Sequence, residues 1–194
     1  MNDVFSRNRS RFSGANYLVL AILAPLYQMN TIHWTQWAQG VVPGDSRLNL
    51  WAMTWQWKNI LYDPLSVWNG NAFYPFLESV TGSDHLFSQV VTGLPVYLLT
   101  KNPFLSYHFV LFFGFAMGAW GMYRLGLLLF DHSGAALASA VFYTVALPRT
   151  IHAVAHIQLS FMAWLPWSVY LLNQLFKRKR PVYAVGVIAT TVLQ

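Results

Sequence analysis

Residues 33–84 read HWTQWAQGVVPGDSRLNLWAMTWQWKNILYDPLSVWNGNAFYPFLESVTGSD, and the apolar remainder of the chain is arranged on either side of them. The segment holds four of the six acidic residues (Asp45, Asp63, Glu78, Asp84) and six of the nine tryptophans. A chain that concentrates its carboxylates and indoles in one loop is expected to do its binding or its chemistry there. Asp45 comes first, in Pro43-Gly44-Asp45, soon after an apolar run ends.

Composition points to a membrane protein. The chain is 56% hydrophobic and 9% charged, against roughly 25% charged in an ordinary soluble domain. A soluble protein so poor in charge would expose apolar patches and aggregate. The apolar residues instead come in runs near the ~20 residues that cross a bilayer as a helix. The formal charge of +6 does not indicate a nucleic-acid partner. Eight of the twelve Lys/Arg stand at the ends of apolar runs (Arg7, Arg9, Arg11, Arg124 and 177–180). There is no cysteine, so thiolate and disulfide chemistry are excluded and the redox compartment stays open.

The expected architecture is all-α: a polytopic transmembrane helix bundle with a large external first loop carrying interfacial helices. Residues 1–15 form a basic cytoplasmic tail, and 16–32 a retained first span, because no small-residue cleavage site follows. The tail's arginines hold the N-terminus inside. Residues 33–103 make the external loop. Within it Leu48–Tyr62 lacks proline and glycine, sets Arg47, Thr54 and Lys58 on one face, and surrounds them with Trp51, Trp55 and Trp57. That pattern suits a helix in the interface, with indoles at headgroup depth. Asp63-Pro64 stops it. Further spans are expected at 104–130, 135–148, 159–176 and 181–194, with a second external loop at 149–158. Gly114, Gly118 and Gly121 on one helix, and Gly134 and Ala138 on the next, are small residues spaced for close helix packing.

The stretch 86–100 decides the topology. It is apolar but short, and Gly93 and Pro95 interrupt it. If it crosses, seven Lys/Arg lie outside and five inside. If it does not, eight lie inside and four (Arg47, Lys58, Lys101, Arg149) outside. The positive-inside rule favours the second arrangement, with 86–100 re-entrant or interfacial and both polar loops in one compartment.

The second loop supplies the other candidate residues. His152 and His156 are four apart and share a face if helical. They suit a metal pair or a substrate clamp, or simply two histidines at a wet interface. Two histidines are fewer than the three protein ligands a catalytic zinc usually takes. Gln158 lies two residues on. Arg149, a lone cation at the outer end of a span, suggests either an anionic partner such as a lipid phosphate or snorkelling to water. Asp84-His85 is a further polar pair. The chain contains no phosphate-binding Gly-rich loop ending in Lys and Ser/Thr, no HExxH and no Gly-x-Ser-x-Gly.

In combination, these features resemble the start of a polytopic glycosyltransferase of the GT-C superfamily. They are an arginine-flanked first span, Gly44-Asp45 in a large external loop, Asn102-Pro103, and Tyr123-Arg124-Leu125-Gly126 at a span end. Tyr143, Pro148-Arg149, His156-Ile157-Gln158 and Trp164-Leu165-Pro166 extend the likeness toward uncharacterised bacterial members of that superfamily. The protein O-mannosyltransferases and aminoarabinose transferases belong to the same group. The resemblance implies transfer of a sugar from a polyprenyl-phosphate carrier to an acceptor at the outer face of the bacterial inner membrane. It places an acidic residue of the first external loop, here Asp45, at the reacting centre, as general base, ligand to a divalent cation, or orienter of the acceptor. A leaving phosphate needs cationic stabilisation, for which Arg149 is the candidate. Asp84, His85, His152, His156 and Gln158 are candidate substrate contacts, and Asp45 with His156 the candidate metal ligands. Two departures stand out. The second loop lacks the carboxylate that several relatives carry there, which puts metal dependence in doubt. The sequence also ends inside an apolar run, so it is expected to be the N-terminal part of a longer chain and inactive alone. The rival expectation is a non-enzymatic membrane scaffold, assembly factor or transporter subunit. A transporter would place ionisable groups inside its spans, and here they sit mostly in loops and at span ends.

Overall fold

The computed structural model describes residues 44–194 apart from Ser83, His85 and Val154. The expected tail and first span, 1–32, therefore lie outside the described residues. Eight α-helices and two one-turn 3₁₀ segments make up the described chain, which contains no strand. They are α1 (Ser46–Tyr62), α2 (Phe87–Thr100), α3 (Pro103–Phe130), α4 (Ser133–Thr144), α5 (Leu147–His152), α6 (Ile157–Phe161), α7 (Leu165–Arg178) and α8 (Pro181–Val192).

The 28-residue α3 is the axis of the molecule. At ~1.5 Å per residue it is about 42 Å long. Its start is set locally. The Asn102 side chain accepts from the backbone N–H of Phe104 and Leu105 at 3.0 and 3.1 Å, and Pro103 occupies the first turn, where its missing N–H costs nothing. Among the described residues, two stretches are long and apolar enough to cross a membrane: α3, and Ser133–His152, which comprises α4 and α5. Residues 131–132 join them as a hairpin, with Asp131 left-handed and the His132 ring capping α4 through Ala135 N–H. The Pro103 end of α3 and the His152 end of α5 therefore lie at the same end of the hairpin.

Small residues mediate the packing, though not all of those expected. Gly114, Gly118 and Gly121 lie on the face of α3 that meets Phe161, Tyr143 and Trp167. On α4 the buried contacts are Ala136 and Ala140, against Gly126 and Tyr123. The expected pair Gly134 and Ala138 is exposed instead. The helix is rotated so that the neighbouring alanines face α3.

Helix α1 is fastened to α2 by Trp57. Its ring is fully buried, donates from Nε1 to Val90 O at 2.8 Å and stacks on Tyr97 at 5.4 Å. The approach needs Gly93, since a Cβ there would stand 2.4 Å from the Trp57 ring. Helix α2, with Pro95 inside it, has 14 residues. That is about 21 Å, short of the ~30 Å hydrocarbon core. The stretch expected to span at 159–176 is divided. Helix α6 ends at Phe161, Met162 is left-handed, and α7 starts at Leu165, ahead of Pro166. Helices α7 and α8 pair through Ser168 and Thr190, whose hydroxyls are 3.0 Å apart.

Candidate functional site

Gly44, with φ +52°, turns the chain into α1 and leaves Asp45 at the helix start. An aspartate in this position usually accepts from the first-turn N–H groups. Asp45 makes no such bond. Its Oδ2 stands 3.7 Å from Nδ1 of His156, with the two side chains 66% and 34% exposed. One turn along α1, the Asn49 amide donates to Ala155 O at 3.1 Å and to Gln158 Oε1 at 3.3 Å. The first turn of α1 is thus tied to 155–158 at three points. Beneath them Tyr107, buried in the first turns of α3, lies against Ser46 and Asn49.

The two histidines adjoin, with ring centroids 5.3 Å apart and planes at 64°. They do so although α5 ends at His152, because His156 N–H still donates to His152 O at 2.7 Å. Asp84 is exposed and lines two cavities. The larger, of about 430 Å³, is walled by Trp51, Phe73, Phe76 and Leu77 and has Asn49 and Glu78 among its polar groups. The smaller, about 140 Å³, lies between Asp84, Ser88, Gln89, Gln158 and Gln194. Asp45, His152, His156 and Gln158 thus come together, Asp84 joins them through the cavities, and His85 lies outside the described residues.

Arg149 stands apart from this cluster. It is 1% exposed. Its Nε donates to Ser160 O at 3.1 Å, and its Nη2 to Gly114 O and Phe161 O at 3.2 and 3.4 Å. Nη1 points to Tyr143 O at 3.5 Å. The guanidinium carbon lies 4.3 Å from the centroid of Phe115 and 4.7 Å from that of Tyr143. Backbone carbonyls at the breaks after α4 and α6 and on α3 thus take up its donors, while two rings cover its faces. In this geometry the side chain joins α3, α4 and α6 and presents no face to an external phosphate. The phosphate-stabilising role expected of it does not fit this position.

Two residues escaped the sequence reading. Asn49 carried a usable signal, since it is polar and four residues after Asp45, on the same helical face. Tyr107 carried none, being one aromatic among many in an apolar helix.

Chemically, an exposed carboxylate beside an imidazole is a proton-transfer pair. The 3.7 Å separation exceeds a hydrogen bond, and such contacts are often loose before substrate arrives. Asp45 and His156 offer two metal ligands. Among the described residues no group of three or more His, Asp or Glu converges to hold an ion. Comparison with protein-family models, with curated proteins and with solved structures gives no match.

Proposed function

We propose that this chain belongs to a membrane glycosyltransferase that moves a sugar from a polyprenyl-phosphate carrier to an acceptor at the outer face of the bacterial inner membrane. Asp45 is the general base toward the acceptor hydroxyl, and His156 holds the carboxylate in place and shares the proton. Asn49 and Gln158 fix the geometry, and the cavity walled by Trp51 and Phe73 takes the acceptor. The observation that carries this reading is the meeting of Asp45 with His156, from two polar segments far apart in sequence.

The same contact supports an arrangement with both polar segments on one side of the membrane, and the arginines of the N-terminal tail favour a cytoplasmic N-terminus. If 86–100 crossed the membrane, Asp45 and His156 would lie on opposite sides of it. With α2 re-entrant, the 33–103 and 149–158 segments share the outer face, as the charge count also favours. The test is transfer from a labelled polyprenyl-phosphate sugar in native membranes. Asp45→Asn abolishes transfer while membrane insertion is unchanged. Retained transfer removes Asp45 from the mechanism.

A scaffold or assembly role is the second reading. It is favoured by the exposed apolar run Phe73, Tyr74, Phe76 and Leu77, which suits a protein partner. Persistent transfer-independent association through this run, with no transfer activity in the native membrane, would select it.

A further inference from the structure

A third cavity, on the other flank of α1 from the one walled by Trp51 and Phe73, has the opposite electrostatic character to that one. It measures about 470 Å³ and lies between α1 and the N-terminal end of α3, within the ~300–1,000 Å³ range of small-molecule sites. Its polar lining consists of Arg47, Lys58, Thr54 and Asn71, and it includes no carboxylate. The cavity beside it, by contrast, is lined by Glu78 and Asp84 and by no cation.

Each donor is set by its surroundings. Lys58 is exposed and pairs with no carboxylate among the described residues. Asn71 accepts the Trp51 indole proton on Oδ1 at 2.9 Å. That bond fixes the amide and leaves its NH₂ as a donor. Arg47, which has a contact of its own, lines the same cavity with a second cationic side chain. The remaining wall, Leu50, Trp51, Pro103 and Phe104, is apolar.

Cations and neutral donors on one side, and apolar surface on the other, call for an amphipathic anion. Pro103 and Phe104 open the first turn of α3, the longer of the two candidate membrane helices. As the first turn of a membrane-crossing α3 they would stand at the depth of lipid headgroups, and the positive end of the helix dipole would add to the field. We infer that this groove binds the phosphate of an anionic phospholipid of the surrounding bilayer, with Lys58 and Arg47 as its counter-charges and Asn71 as a neutral donor. Such a lipid would fix α1 at the membrane surface. The inference does not depend on the transferase reading, because its test reads lipid retention.

The test is native mass spectrometry of the purified full chain, released from nanodiscs of phosphatidylglycerol or of phosphatidylcholine. Phosphatidylglycerol should remain bound as a discrete adduct, and phosphatidylcholine should not. Replacing both cations (Arg47→Gln with Lys58→Gln) should weaken retention about 30-fold, at roughly 1 kcal/mol for each cation near the surface. Lys177→Gln with Arg178→Gln, which removes the same charge elsewhere, should leave it unchanged. Inorganic phosphate at millimolar concentration should not displace the lipid. Equal retention of both lipids, equal loss in the two double variants, or displacement by inorganic phosphate would each overturn the inference.

Discussion

The carboxylate of Asp45 faces the imidazole of His156 at 3.7 Å instead of capping its own helix. In the proposed reaction Asp45 is the general base, a role that typically contributes 10²–10⁴-fold to rate, so Asp45→Asn should lower transfer by at least ~100-fold. His156→Gln should cost less, since it removes the partner and leaves the base. The double variant should be no worse than Asp45→Asn alone, because the two act as one unit. Transfer rates for the three variants, normalised to protein in the membrane, check this.

Arg149 should prove structural. Arg149→Ala would leave buried carbonyls of Ser160, Gly114 and Phe161 without their donor. The expected loss is about 3 kcal/mol or more. Arg149→Lys should rescue little, because an ammonium cannot make the planar fork or lie between the Phe115 and Tyr143 rings. Unfolding in detergent by denaturant measures both. A lysine variant as stable as the native chain but inactive in transfer would return Arg149 to the reaction.

Gly93 should tolerate almost nothing. A Cβ there meets the Trp57 ring at 2.4 Å, and overpacking of this kind costs roughly 1–3 kcal/mol. Gly93→Val should push α1 off α2 and shift the fluorescence of the buried Trp57 indole to the red. An unshifted spectrum with native stability would contradict the packing.

Topology has a direct reporter, because the chain has no native cysteine. Lys101 and Lys179 are both exposed residues that end helices, α2 and α7. A cysteine at 101 should react with an impermeant maleimide added outside intact cells, and one at 179 only after the membrane is opened. The reverse pattern would sink the arrangement in which α2 fails to cross.

What the sequence revealed and what it hid follow from the range of the forces involved. The helical stretch after Gly44-Asp45 is legible because its determinants are local: a run without proline or glycine, then Asp63-Pro64. Its start at Ser46 depends on the Gly44 turn. The all-helical class follows from composition and apolar run length. The burial of Arg149 was hidden, since a lone arginine at a helix end looks the same whether it meets lipid phosphate, water or carbonyls. Only the breaks at 145–146 and 162–164 bring those carbonyls round it. The division at Met162 and the rotation of α4 away from Gly134 and Ala138 are likewise tertiary. The partnership of Asp45 with His156 depended on a topological choice, and their separate loops showed only that each was polar.

The meeting of those two loops is best tested by crosslinking. Cysteines replacing Asn49 and Gln158, whose side chains bond at 3.3 Å, would be treated with a short bismaleimide in native membranes and digested for mass spectrometry. A linked peptide joining positions 49 and 158 within one chain is the predicted result. Two thiols that never link, and that label from opposite sides of the membrane, would contradict the shared site.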